Sequence, residues 1–150
     1  VIGPEAHLGA DDKHVHGVAI AIRLDLAGTI VSHDSPDPNL LRVVLKLDQQ
    51  SNDKIQLISS YMPQKKSKVT GTEGFSQHID KLQTLLEPKT KQGRGYSDNI
   101  LLTDTNSRIG LDAALDSPEL FGSTVPEHAR TSCAGGKRII TLCKKYSLVA

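Results

Sequence analysis

Asp104 and Asn106 stand two residues apart at the end of an apolar run, Ile100, Leu101 and Leu102, with Thr103 leading into the pair. Alternate residues of an extended chain point to one side. Both side chains would then emerge together at the end of a buried strand, where α/β folds place their sites. A carboxylate in that position can take a proton or hold a metal ion. A carboxamide can donate to a phosphate or orient a water. A basic residue, Arg108, and a glycine, Gly110, follow. The ordinary reading of the same residues is a polar turn, since Asp, Asn, Ser and Gly are common there.

Tyr61 is a second candidate. It closes the run Ile55–Tyr61, and Pro63 two residues on cannot donate to a ladder, so the strand stops there and the phenol lies at its end. A tyrosine packed at a sheet margin is the plainer alternative. The next stretch carries Lys65, Lys66 and Lys68, which is by default a solvated loop and, more specifically, a place to contact phosphate. His14 and His16 would share a face of a strand, and two such histidines can bind metal. No third ligand is recognisable beside them, which favours a polar strand edge. His128 and Arg130 lie in an irregular stretch and read as solvated loop residues.

Composition bounds what these residues can serve. The 150 residues suffice for one domain with its own core. A net charge of +1 gives no global field for nucleic acid or membrane, so any DNA contact must come from local clusters. With two Phe, three Tyr and no Trp, the core is aliphatic and platforms for stacking bases are not expected. The two cysteines, Cys133 and Cys143, form no Cys-x-x-Cys pair, which argues against zinc. Cys143 falls on an apolar helical face and reads as a buried thiol in a reducing, intracellular setting. No signal peptide or transmembrane run is recognisable. The chain opens on Val1 and stops inside the apolar run Leu148, Val149, Ala150, so it reads as part of something longer.

The elements that must position the candidates follow from patterning. Residues 1–15 read as a short extended piece and a loop. Residues 17–24 mix small and branched residues, which predicts a strand buried on both faces. A short strand over 29–32, a turn at 35–39, and strands over 40–47 and 55–61 follow, the last two joined by a polar link as an antiparallel hairpin. Phe75, Ile79, Leu82 and Leu86 make one stripe of a helix over 72–86, with Thr72 as its N-cap and Pro88 as its stop. A basic, glycine-containing loop leads to the strand 99–104. Strand, helix and strand in that order imply a crossover, which would set the 99–104 strand beside 55–61 and bring Tyr61 and Asp104 to one edge. A turn of helix is expected at 112–115. Gly135 and Gly136 precede a helix over 137–146, whose core stripe is Ile139, Leu142, Cys143 and Tyr146.

Taken in order, these segments resemble the endonuclease/exonuclease/phosphatase superfamily, the DNase I-like fold. The likeness is closest to the endonuclease domain of LINE-type retrotransposons, which is similar to AP endonucleases. It is carried by the strand from Gly17, by Leu57 to Tyr61 with Pro63, by the helix from Phe75, by Leu101 to Gly110, and by Gly136, Lys137, Arg138 and Cys143. The resemblance implies an α/β fold, a partial four-layer α/β/β/α sandwich, and magnesium-dependent hydrolysis of a phosphodiester in DNA, inside the nucleus where genomic DNA is the target. It implies that Asp104 orients or deprotonates the attacking water, that Asn106 holds the scissile phosphate and that Tyr61 hydrogen-bonds it. Arg108, Lys65 and Lys66 are then candidates for binding the substrate.

The sequence also departs from that pattern. The superfamily usually has Gly-Asp-Phe-Asn where this chain has Thr103, Asp104, Thr105 and Asn106. Glu5 stands twelve residues before Gly17, too close to match the metal-binding glutamate. The Ser-Asp-His segment with the catalytic histidine has no counterpart, and His128 is in the wrong context to replace it. The expectation is therefore half of a phosphodiesterase site, inactive on its own. The alternatives are a non-catalytic remnant that binds or scaffolds, and a phosphatase or phosphodiesterase acting on lipid or inositol phosphates.

Overall fold

Asp37 and Asn39 reverse the chain between its first two strands. The Asp37 carboxylate accepts from the Asn39 backbone N–H (2.9 Å), an Asx-type turn that reverses the chain at Pro38. On either side lie β1 (Ile30–Asp37) and β2 (Leu40–Lys46). The computed structural model describes residues 1–3, 17–48, 50, 53–63, 71–87, 98–120 and 131–148. The remaining elements are β3 (Lys54–Tyr61), α1 (Gly71–Leu86), β4 (Asp98–Asp104), α2 (Leu111–Asp116) and α3 (Ala134–Tyr146), with 3-10 turns at Leu24–Thr29 and Pro118–Leu120. The chain divides into two units. The first comprises Val1–Met62 with Asp80–Asp104, and the second Pro63–Ile79 with Thr105–Ala150. The division falls within α1.

The first unit is built on one mixed sheet in the order β1-β2-β3-β4. β1–β2 and β2–β3 are antiparallel, and β3–β4 is the expected parallel pair. The α/β class expected from the sequence is thus observed as a four-stranded mixed sheet with helices. β1 runs through the predicted turn at 35–39, as far as Asp37. The Ser35 hydroxyl donates to the Asp37 and Leu40 carbonyls, and Pro36 is tolerated because β1 is an edge strand.

The sheet has two faces. Leu40, Arg42 and Val44 on β2, Gln56, Ile58 and Ser60 on β3, and Asn99, Leu101 and Thr103 on β4 share one of them. Gln56 is fully buried and its Nε2 donates to the Leu85 carbonyl (2.8 Å) and to Asn99 Oδ1 (3.1 Å). Lys81 pairs with Asp37 (2.9 Å). These two links lay the last turns of α1 along this face, with Leu82, Leu85 and Leu86 all buried. Each such side chain contributes about 1.5–3 kcal/mol by leaving water.

Leu41, Val43 and Leu57 point to the opposite face. There Ile20, Leu41 and Val43 form a core cluster with Ile2, Val18, Ile22, Ile30, Leu45 and Leu57 around it. The strand expected over 17–24 is corrected here. It is an extended stretch with a single bridge, Ile2 to Ile20, made by two reciprocal bonds of 2.9 Å. Ile20 is buried while Ala19 and Ala21 are exposed, so the stretch covers the sheet with one side only. The small residues between the branched ones face outward and do not mark a second packed surface.

In the second unit, α3 starts three residues before the predicted Lys137 and takes Gly135 and Gly136 into its first turn. Cys133 is its N-cap, and Cys143, read from the sequence as a buried thiol, is half-buried. Burial still pushes the Cys143 thiol above its ordinary value. Ser147 closes the helix in the left-handed region (φ 53°), with Leu148 N–H donating to the Cys143 carbonyl (2.9 Å). The first half of α1 is held to α3 by Arg138, which donates to Ser76 Oγ (2.7 Å) and stacks its guanidinium 5.7 Å from the centre of the Phe75 ring. Thr72 lies inside α1, since the helix begins at Gly71, and so is not its N-cap.

Candidate functional site

The β3–β4 ladder pairs Ile55 with Asp98, Leu57 with Ile100, Ser59 with Leu102 and Tyr61 with Asp104. Tyr61 and Asp104 are therefore neighbours at the carboxyl ends of adjacent parallel strands, on one face of the sheet. The backbone holds them there. Tyr61 N–H donates to the Asn39 carbonyl and Met62 N–H to the Asp104 carbonyl, each at 2.9 Å, and the Met62 side chain is fully buried. The strand end is thus anchored on both sides of the tyrosine. Asp104 is exposed and Tyr61 half-buried, so both side chains can meet a solvent-borne substrate.

Asn106 is placed differently from the sequence expectation. β4 ends at Asp104, and Asn106 adopts a left-handed backbone (φ 44°), so it does not continue the alternation of the strand. Asn is among the few side chains that tolerate this region. Asn106 and Arg108 belong to the second unit, in a loop pinned to the segment before α3. Arg108 Nε donates to the Thr131 carbonyl (3.1 Å), and Cys133 N–H donates to the Arg108 carbonyl (3.0 Å). At least one face of the Arg108 guanidinium is thereby committed to the protein's own backbone. Lys65 and Lys66 lie outside the described residues, as do Lys68, Glu5, His14, His16, His128 and Arg130.

The end of the same loop, the first turn of α2 and Ser132 form a cluster that the sequence did not announce. Gly110 N–H donates to Ser132 Oγ (2.9 Å), while Ser132 Oγ–H and N–H both donate to Asp112 Oδ1 (2.7 Å each). The Ser132 hydroxyl holds the Asp112 carboxyl below its ordinary value against the opposing effect of burial, helped by the Ser132 and Ala113 backbone N–H groups and by the Lys137 charge. Asp112, Asp116, Ser117, Ser132, Lys137 and Lys144 border a shallow cleft of about 220 Å³. Ser132 and Asp112 are twenty residues apart and ordinary in type, so no local pattern links them. Two glycines complete the arrangement. A Cβ on Gly135 would lie 2.4 Å from Ser107 Oγ, and one on Gly136 would lie 2.2 Å from the Arg108 carbonyl oxygen. The first turn of α3 is pressed against the loop that carries Asn106.

Among the described residues, no group of three or more His, Cys, Asp or Glu side chains is arranged to hold a metal ion. The magnesium expected from the resemblance finds no donor set there. No helix among them is long and apolar enough to cross a membrane. In comparisons with known proteins, no family model, curated protein or solved structure matches the chain.

Proposed function

We propose that this chain supplies part of the site of a metal-dependent phosphodiesterase, a DNA-nicking endonuclease of a retrotransposon-derived protein acting in the nucleus, and that the sheet described above is one half of a four-layer α/β/β/α sandwich. The observation that supports the reading is the pairing of Tyr61 with Asp104 at the ends of parallel strands. In-line attack on a phosphodiester requires an activated water and donors to the charge that develops on the phosphate oxygens. Asp104 is exposed at the strand end and serves as the group that orients or deprotonates the water. Tyr61, one strand away, donates its phenolic hydrogen to a phosphate oxygen. The described residues assemble no metal site, so the divalent cation is assigned to groups beyond them and no step of the chemistry is derived through it.

A second reading, a module that binds or scaffolds without turnover, is favoured by the engagement of Arg108 Nε with the Thr131 carbonyl. Relaxation of supercoiled plasmid in magnesium separates the two. The 150-residue chain is expected to nick no DNA alone. The same chain with flanking sequence that adds an acidic metal ligand and a histidine is expected to nick, and Asp104→Ala is expected to slow it about 10²–10⁴-fold, the span of general-base catalysis. Turnover by the chain alone that Asp104→Ala abolishes would overturn the half-site. Inactivity of the extended protein on plasmid and on abasic DNA would overturn the phosphodiesterase.

A further inference from the structure

The two edges of the sheet are treated differently. β1, at one edge, is polar along Ser32, His33, Asp34 and Ser35, carries Pro36, and has register irregularities on both sides of its centre. Those are the devices by which proteins protect an edge from other strands. β4, at the other edge, has neither a proline nor a register irregularity, and its acids, Asp98 and Asp104, stand at its two ends. Its pairing with β3 is regular from Asp98 to Asp104, and among the described residues no strand lies on its far side. Backbone N–H and C=O groups on that side are a template for an added strand.

The side chains of β4 sharpen this. Asp98, Ile100, Leu102 and Asp104 share one face and all four are exposed, Ile100 at 43% and Leu102 at 56%. The cluster around Ile20 covers Leu41 and Val43 and reaches Leu57, and the apolar surface then continues uncovered from Leu57 across to Ile100. The face therefore reads acid, apolar, apolar, acid.

We propose that β4 is a docking edge for an extended strand of a partner polypeptide whose side chains on the matching face run basic, apolar, apolar, basic. Directly opposed residues on neighbouring strands interact most, and opposite charges are favoured there while like charges are penalised. A second copy of this chain is disfavoured by the same rule, since antiparallel pairing of β4 with itself about Leu101 sets Asp98 of each copy against Asp104 of the other. The inference shares Asp104 and its strand with the phosphodiesterase reading, but its test reads peptide binding without nucleic acid or metal, so the two readings fail separately.

The test is fluorescence anisotropy with labelled synthetic peptides against the full chain. One peptide alternates threonine with lysine, valine, valine and lysine, and its mate carries glutamate in place of both lysines. The lysine peptide is expected to bind about tenfold or more tighter than the glutamate peptide. Asp98→Lys is expected to narrow or invert that preference. Leu102→Lys is expected to abolish binding of both, and N-methylation of the peptide's backbone to do the same. Asp98 and Leu102 are exposed, so both variants should keep the far-UV circular dichroism of the parent. Should Leu102→Lys unfold, the charge inversion at Asp98 still decides. Failure of the lysine peptide to bind, equal binding of the two peptides, or indifference to Asp98→Lys would overturn the proposal. So would concentration-dependent self-association that Leu102→Lys removes and the peptides do not compete, which would make a second copy the occupant.

Discussion

Replacing Gly136 by alanine sets two physical effects against each other. Gly136 lies in the first turn of α3, and helix propensity alone favours alanine there by about 1 kcal/mol. The structure opposes it. The added Cβ would stand 2.2 Å from the Arg108 carbonyl oxygen and 2.9 Å from its carbon, neither of which is a flexible side chain. Restoring ordinary contact requires helix and loop to part by about 1 Å. That separation stretches the bond from Cys133 N–H to the same Arg108 carbonyl, 3.0 Å long in the native chain. Overpacking costs about 1–3 kcal/mol and the strained hydrogen bond about 1 more. Set against the propensity gain, the net loss is about 2 kcal/mol. Urea unfolding followed by far-UV circular dichroism suits a chain without tryptophan, and a loss of that size lowers the midpoint by about 1 M. Gly28→Ala is the control, since nothing among the described residues lies within 4 Å of a Cβ at that position, and it is expected to be neutral or to stabilise by up to about 1 kcal/mol. A Gly136→Ala chain as stable as the parent would refute the close approach and leave helix propensity in command.

Asn106→Ala is expected to cost about 1 kcal/mol in the same unfolding assay and Asn106→Gly appreciably less, because the left-handed backbone at φ 44° penalises a Cβ without a compensating polar group. Equal losses would place the effect in the side chain alone. The Asp112 carboxyl is held below its ordinary value of 3.8 chiefly by the Ser132 hydroxyl, so its contribution to stability is present above that value and fades as pH falls through the lowered one. Carboxyl-carbon NMR is expected to show the Asp112 titration moving up in Ser132→Ala, and no movement would refute the link. Gln56→Met is expected to lose about 1 kcal/mol, since the buried Leu85 carbonyl loses its donor while the buried Gln56 Oε1, which has no partner among the described residues, is removed as a partial offset. A rise in midpoint would mean that the orphaned oxygen outweighs the bond.

How much of this was legible in the sequence depends on how local the deciding physics is. β3, α1 and β4 were readable because their signals are short in range. Alternation, a stripe at helical spacing and a strand–helix–strand order together imply a parallel crossover, and that alone predicts Tyr61 beside Asp104. Other features failed because distant atoms decide them. Gly135 and Gly136 read as a boundary, since glycine is a poor helix former, yet they sit inside α3 because nothing larger fits beside Ser107 and Arg108. The stretch 17–24 reads as a strand buried on both faces, yet its one ladder partner among the described residues is Ile2. The period of a strand pairs Asn106 with Asp104, yet β4 ends at Asp104, two residues too soon. These two candidates therefore answer to different supports. Asp104 is set by the β3–β4 ladder and by Met62, while Asn106 is set by its own left-handed backbone in a loop pinned through Arg108, Thr131 and Cys133. Substitutions at Gly136 or Ser132 should disturb the amide chemical shifts around Asn106 and leave those of Tyr61 and Asp104 in place. If both sets moved together, the separate supports argued here would have to be abandoned for a single cooperative one.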